Sequence, residues 1–232
     1  MKRRRQCENA QMAGAIAANG ELESVRVTRI LRDDIILGRR VPGARLVERD
    51  IAAELGVSRL PVREAIRTLV AEGVVVARPR TWAVVREFTH RDIQDIAEVR
   101  EAIETLIFVF AAERHDDAGI ARIRDAYERE LAAARAEDSE AARVAAAEFH
   151  EIAVELAANE MLGELIAVFL TRLRWLFGQH DDLLAMADEH RIILEALTAR
   201  DTDALRRIVP AHLASGQSAA ERRLADDSDL MV

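Results

Sequence analysis

A mainly α chain is predicted, an N-terminal winged helix-turn-helix followed by an all-α helical bundle, and three observations predict it. Residues 48–73, ERDIAAELGVSRLPVREAIRTLVAEG, read as two short helices around a tight turn, with two β-branched runs after them. From His90 onward nearly every window repeats its apolar residues at the helical period of about 3.6, and strand patterns vanish. The charge divides at the same place. Residues 1–89 hold 17 Lys and Arg against 11 Asp and Glu, net +6, whereas residues 90–232 hold 16 against 30, net −14, within a total of −8.

Residues 1–24 carry scattered Asn, Gln, Gly and Glu without a sustained period and read as a disordered or frayed arm, whose basic residues 2–5 offer non-specific phosphate contact. Val27, Ile30, Leu31 and Ile35 start the first helix of a unit spanning 25–89; Gly38 stops it and Pro42-Gly43 makes the connecting turn. In the next helix Ile51, Ala52 and Leu55 give one apolar face while Glu48, Arg49 and Glu54 stay wet. Gly56 ends it, Val57 plugs the angle between helices, and Ser58 is the N-cap of a third helix. In this third helix Val62, Ile66, Leu69 and Val70 form the buried stripe, with Pro61 in the first turn, where a missing N–H costs little. Gly73 leads into the runs 74–76 and 84–85, which flank the basic turn Arg78-Pro79-Arg80 as a wing.

Arg59, Arg63 and Arg67 recur at four-residue spacing and share one exposed edge of the third helix. A solvated face is the bland reading of such a stripe. Its place directly after the turn argues for nucleic acid, because the N-terminal half of a recognition helix reaches base edges and arginine binds guanine O6 and N7 or clamps a phosphate. The basic half of the chain is therefore a candidate DNA surface, with Arg78 and Arg80 on the wing; the acidic half is not.

The run PGARLVERDIAAELGVSRLPVREAIRTLVAEGVV resembles the winged helix of the GntR family of bacterial transcription regulators, and the likeness covers residues 25–88. The family signature SRxPVREA is met by Ser58, Arg59, Pro61, Val62, Arg63, Glu64 and Ala65. The resemblance implies that Arg49, Arg59 and Arg63 contact an operator in double-stranded DNA, with Ser58, Arg67, Arg78 and Arg80 as further candidates. One departure is the wing, where Thr81-Trp82 stands in place of the glycine that usually follows the basic pair.

The second half, residues 90–225, is expected to form helices near 90–115, 118–136, 139–158, 160–178, 182–199 and 203–223, with breaks too frequent for sustained heptads and a tail at 226–232. His90, His115 and His180 sit at helix ends among charged residues and are set aside. His190 lies centrally among Leu183, Met186, Ile193, Leu194 and Leu197, and His212 among Leu205, Ile208 and Val209. Each is 11 residues from Asp201, so an antiparallel hairpin brings them level. His150, on the flank of the stripe Phe149, Ile152, Ala153 and Leu156, is available to join them. A lone histidine on an apolar face is usually a satisfied core residue. Two level ones with a third at hand make a candidate site for a divalent transition metal of the zinc or nickel class, with coordination positions left open. Arg100 falls in the apolar stripe Ile93, Ile96, Ala97, Ile107 and Ala111, where its charge needs a partner. Glu104 is the local choice and a ligand carboxylate the other.

This half is similar to the FCD ligand-binding domain of the FadR subgroup of GntR regulators, across residues 92–222. The matching pieces are Glu98-x-Arg100 with Glu104, Phe149-His150 followed by Asn159, and the later His190 and His212. The resemblance implies a bundle that binds a small organic acid, often through a metal held by an aspartate and three histidines. Arg100, Glu104, Asn159 and Arg172 are then the candidate effector contacts, and His150, His190 and His212 the candidate metal ligands. Ala146 stands where the aspartate, four residues before His150, is expected.

The expectation is a homodimeric transcription factor, a repressor relieved by its ligand. Two readings compete with it: a helical-bundle metalloenzyme using the three histidines, which leaves the Arg59–Arg63 edge without a role, and a constitutive DNA-binding regulator whose histidines are core, which Ala146 favours. Cys7 is the only cysteine, which excludes a disulfide within one chain and fits a reducing cytoplasm. No run reaches the ~18 apolar residues of a membrane span, and the weakly apolar 13–18 is too short for a signal peptide.

Overall fold

The computed structural model describes residues 21–78, 82–178, 180 and 182–229. Cys7, the basic residues 2–5 and the wing residues Arg80 and Thr81 lie outside that set. The chain divides into two compact units, the first ending at Glu87 and the second opening at Phe88.

In the first unit, α1 (Glu23–Ile36) buries Val27, Thr28, Leu31 and Ile35 along one face. It starts two residues earlier than the expected unit, so residues 23 and 24 belong to a helix and not to an arm. After β1 (Arg45–Leu46) come α2 (Glu48–Leu55) and α3 (Arg59–Ala71), then β2 (Val75–Ala77) and β3 (Ala83–Val85). Gly56 closes α2 at φ +66°, a left-handed conformation that costs a side-chain-bearing residue energy and glycine little. Ser58 stands at the N-cap position of α3, but its hydroxyl makes no capping bond. Pro61 is buried within the first turn and leaves α3 unbroken.

The wing hairpin is part of a three-stranded antiparallel sheet of order β1-β3-β2, with Arg45 opposite Val84 and Val75 opposite Val85. The two residues of β1 were too short a signal to read from sequence; the strand exists because β3 presents it a free ladder edge. Trp82, at the start of β3, has the Arg45 guanidinium 4.1 Å above its ring, so the bulky residue of the wing is held against the sheet.

The second unit is wholly helical among its described residues: α4 (His90–Arg114), α5 (Asp117–Arg135), α6 (Ser139–Leu156), α7 (Glu160–Ala167), α8 (Leu170–Phe177), α9 (Leu183–Thr198) and α10 (Thr202–Asp229). Thr89 starts α4 with a capping box, its side chain accepting from the Asp92 N–H while the Asp92 carboxylate accepts from the Thr89 N–H. The helix packs against α6, α9 and α10, and its buried residues Ile107, Phe108 and Ala111 share one core with Phe149, Ile193, Leu197, Leu205 and Val209. None of the helices described is long and apolar enough to cross a membrane.

Two expectations are corrected. The helix expected at 160–178 is two, interrupted where Phe169 takes φ −126° and ψ 9°. Neither Gly nor Pro marks that break, and the apolar spacing runs through it from Leu162 and Ile166 to Leu173 and Phe177, so the sequence period conceals it. The final helix extends to Asp229 with Pro210 inside it, beyond the expected end at 223 and into the expected tail. Thr89→Ala is expected to cost about 1 kcal/mol of stability through loss of the cap. A urea midpoint indistinguishable from the parent's would show that tertiary packing alone fixes the start of α4.

Candidate functional site

The basic unit presents the arginine edge on α3. Arg59 and Arg63 keep 63% and 45% of their side-chain surface, enough for a groove-facing role, and both lean on Glu48 in the first turn of α2. Arg63 Nε and Nη2 donate to the two Glu48 oxygens at 2.8 Å each, and Arg59 Nη2 approaches one of them at 3.4 Å. The Arg63 guanidinium in turn holds the Glu48 carboxyl below the usual carboxylate range. Arg49, exposed, pairs with Asp50 at 2.9 Å; Ser58, Arg67 and Arg78 are exposed. Arg80 falls outside the described residues, so the wing is represented by Arg78 and Trp82.

In the helical unit α6, α9 and α10 bring the three expected histidines together. His150 Nε2 lies 3.2 Å from His190 Nε2 and 3.3 Å from His212 Nε2. The three ligating nitrogens all fall within 4.8 Å of one another. Their other nitrogens turn outward, each onto a carboxylate: His150 Nδ1 to Glu104 at 2.7 Å, His190 Nδ1 to Glu130 at 2.6 Å, and His212 Nδ1 to Glu189 at 2.7 Å. An ionised carboxylate only accepts, so each Nδ1 carries the proton and each Nε2 lone pair points inward. Phe149 stacks on His190 with centroids 4.5 Å apart and planes at 15°, which fixes that ring.

This donor set fits a divalent cation. Zinc binds imidazole nitrogen at about 2.0–2.1 Å, so a tetrahedral centre sets its nitrogens about 3.3 Å apart. That is the spacing of two of the three pairs here. Burial pushes the His150 and His212 imidazoles below their ordinary pKa, His212 strongly, with the neighbouring histidines adding to the effect; neutral imidazole is the ligating form.

Arg100 is 8% exposed and pairs with Glu104 through Nε–Oε1 at 2.6 Å, while the second Glu104 oxygen takes the His150 bond. Burial alone would push the Glu104 carboxyl up. Arg100 and His150 overturn that and hold it down at about 2. One carboxylate thus joins the buried cation to the histidine cluster.

The cluster and Arg100 open on a cavity with about 70 Å³ of room, against roughly 10–15 Å³ for one water. That is room for several water-sized groups, the scale of a small organic molecule. Apolar side chains such as Ile107, Val154, Leu173 and Phe177 make most of its wall, and Ala146 lines it one turn before His150.

Of the expected effector contacts, Arg100 and Glu104 are at the cavity; Asn159 and Arg172 are not among the residues that line it. Asn159 is the N-cap of α7, its side-chain oxygen accepting from the Leu162 N–H at 3.2 Å. Arg172 lies on the other side of α8, where it donates to the Val168 carbonyl at 3.4 Å, and the lining arginine of that helix is Arg174, paired with Glu151. His180, set aside on its charged surroundings, lines the cavity. Its pKa is pushed down to about 3, chiefly by burial and then by His190 and Arg100. His115 is buried too, but its Nε2 bonds the Leu197 carbonyl at 3.0 Å and serves packing.

Glu130 carried a legible signal, since it repeats the apolar period of Ile123, Ala126 and Ala134 and is 1% exposed. Glu189 carried none, lying off the buried stripe of α9.

Residues 23–85 match the model of bacterial regulatory proteins of the gntR family, and residues 95–215 match the FCD domain. The chain belongs to the GntR family, in the group that carries an FCD domain. It is 26% identical over 215 residues to the galactonate operon transcriptional repressor of Escherichia coli (strain K12), covering 82% of this chain and 93% of that one. To the gluconate operon transcriptional repressor of Bacillus licheniformis it is 28% identical over 188 residues, 77% of each. Among solved structures a GntR transcriptional regulator from Rhodococcus sp. RHA1 aligns with TM-score 0.72 at 29% identity, over 85% of this chain and 96% of that one. These relatives are transcription regulators, and the metalloenzyme reading of the histidines is set aside on that ground.

The buried imidazoles give a sign for pH dependence. His150, His180 and His212 have folded pKa values below their unfolded value of about 6.5, so below that pH the unfolded chain binds more protons. With a chelator present, the melting temperature is therefore expected to fall as pH drops below about 6.5, Glu104 adding a second loss below about 4.5. His212→Gln should flatten the first fall; equal slopes in both proteins would overturn the assignment.

Proposed function

We propose that this GntR-family protein is a repressor whose hold on its operator is controlled by a small organic acid bound in the cavity of the helical unit, beside a divalent transition metal on His150, His190 and His212. The observation that carries the reading is the inward convergence of three Nε2 atoms, each fixed by a carboxylate on its Nδ1, in a cavity shared with buried Arg100. A bound divalent ion supplies Lewis acidity and positive charge that attract an oxygen anion. Around it, Glu104, Glu130 and Glu189 hold the ligand tautomers, Arg100 offers a second cationic contact, and the apolar wall excludes water. Two of the relatives are named for galactonate and gluconate operons, which supports a polyhydroxy acid as the class of effector.

The DNA contacts proposed are Arg49, Ser58, Arg59, Arg63, Arg67, Arg78 and Arg80, and the protein is proposed to act in the cytoplasm as a homodimer, two copies of α3 reading the halves of a pseudo-palindrome. The effector shifts a population between operator-competent and incompetent states by no more than its difference in affinity for them. Helix α4 is the covalent link in this coupling: it begins three residues after the basic unit ends and carries both Arg100 and Glu104.

For the reader, Arg63→Ala is expected to lose about 1–3 kcal/mol of operator affinity with relaxed preference at one position, on a complex of two chains per duplex. Parallel losses on specific and random DNA would reassign Arg63 to phosphate, and one chain per operator would remove the dimer. For the sensor, His190→Ala is expected to abolish copurifying metal while leaving operator affinity within about twofold. A metal binding only the folded state adds about 2.7 kcal/mol at a hundredfold excess over Kd, so a chelator should lower the melting temperature of the parent and not of the variant. Ala146→Asp should tighten metal binding by placing a carboxylate at the cavity wall. A parent that takes up no zinc or nickel at all makes the histidines core residues.

A further inference from the structure

The Arg100 guanidinium is committed on two sides and open on the third. Its Nε is taken by Glu104, and its face lies over the Phe177 ring at 5.0 Å. Its two terminal nitrogens have no hydrogen-bond partner among the described residues. They point along the plane in which a guanidinium binds a carboxylate. Phe177 and Glu104 therefore aim a buried fork at a fixed place.

That place is above Gly216 on α10. A Cβ built on Gly216 would stand 3.5 Å from Arg100 Nη1, 3.5 Å from His180 Cε1 and 3.7 Å from His180 Nε2. Arg100 and His180 thus meet over bare backbone, no farther apart than those two nitrogen distances together. Two hydrogen bonds of about 2.9 Å with one carboxylate between them bridge such a gap. The His180 ring, like the fork, has no hydrogen-bond partner among the described residues, while Arg143 holds its backbone carbonyl at 3.3 Å. Gly216 lies four residues beyond His212 on the same face of α10, about 6 Å of helical rise further along it.

We propose that Arg100, His180 and Gly216 form a second pocket in the cavity that takes a carboxylate of the effector, with His180 as the residue that selects it. The proposal rests on the effector reading above and deepens it. One end of the acid carries the carboxylate bound here, and a second oxygen group reaches the cluster of His150, His190 and His212. The effector is thus an acid with an oxygen group at each end, a hydroxy acid or a dicarboxylic acid. Monocarboxylic acids fill one pocket and leave the other to water.

The test is calorimetry on the full-length, zinc-loaded protein with a panel of straight-chain mono-, hydroxy- and dicarboxylates of two to six carbons, the parent beside His180→Ala, His180→Gln and Gly216→Ala. The added methyl at 216 makes ordinary contacts and favours the helix, so that variant keeps the fold while filling the carboxylate's seat. Expected are a preference of the parent for the hydroxy- and dicarboxylates over the monocarboxylates and an approximately tenfold weaker binding of them by His180→Ala and Gly216→Ala. His180→Gln, which keeps a donor, should recover part of the loss, and zinc content should stay constant throughout. Binding within twofold of the parent in both weakened variants overturns the second pocket while the effector reading stands. Loss of zinc in His180→Ala overturns it by making His180 a metal ligand. A parent that binds none of the panel overturns the pocket and the effector reading together.

Discussion

Three imidazoles face one another inside an apolar bundle because each has its outer nitrogen on a carboxylate. A buried polar group without a partner costs on the order of 1–3 kcal/mol, and a buried charge more, so such a cluster persists only when every member's second nitrogen is satisfied. Glu104, Glu130 and Glu189 satisfy them from three different helices, α4, α5 and α9. The cavity, the tautomers and the inward lone pairs all depend on those three bonds. Without them the histidines would turn toward any available carbonyl, as His115 turns toward Leu197.

Glu104 has the most dependents. It accepts from Arg100 with one oxygen and from His150 with the other, so the cationic arm of the cavity and the histidine cluster are set by a single side chain that is 4% exposed. The pairing also explains why an arginine is tolerated in the middle of a core helix. Its charge is neutralised within one turn, its face is covered by Phe177, and only the edge toward the cavity is left uncovered.

The basic unit follows the opposite logic, with charges kept wet and lightly held. Glu48 steadies Arg59 and Arg63 from the neighbouring helix through bonds that are more than a quarter exposed at every partner. Exposed pairs of this kind are worth about 0–1 kcal/mol, so the arginines are positioned without being locked, as the proposed displacement of the carboxylate by a phosphate or guanine requires. The proposed surface reader and the proposed buried sensor thus use the same residue types, arginine and glutamate, at very different strengths.

Much of this was legible in the sequence because it rests on periodicity and punctuation. Gly56 and the signature around Ser58 mark the turn between α2 and α3, and the apolar repeat gives most helices of the bundle. Burial of His190, His212 and Arg100 follows from their place in apolar stripes, because helical phase depends on spacing alone. What depends on contacts between distant segments was not legible. The break at Phe169, the strand β1, the pairing of His212 with Glu189, and the choice of Arg174 over Arg172 at the cavity wall leave no periodic trace. His180 shows the difference most plainly. Its neighbours in the chain are charged, which made it look like surface, but its neighbours in space are Arg100, Gly216 and the histidine cluster, and a residue's chemistry is set by those.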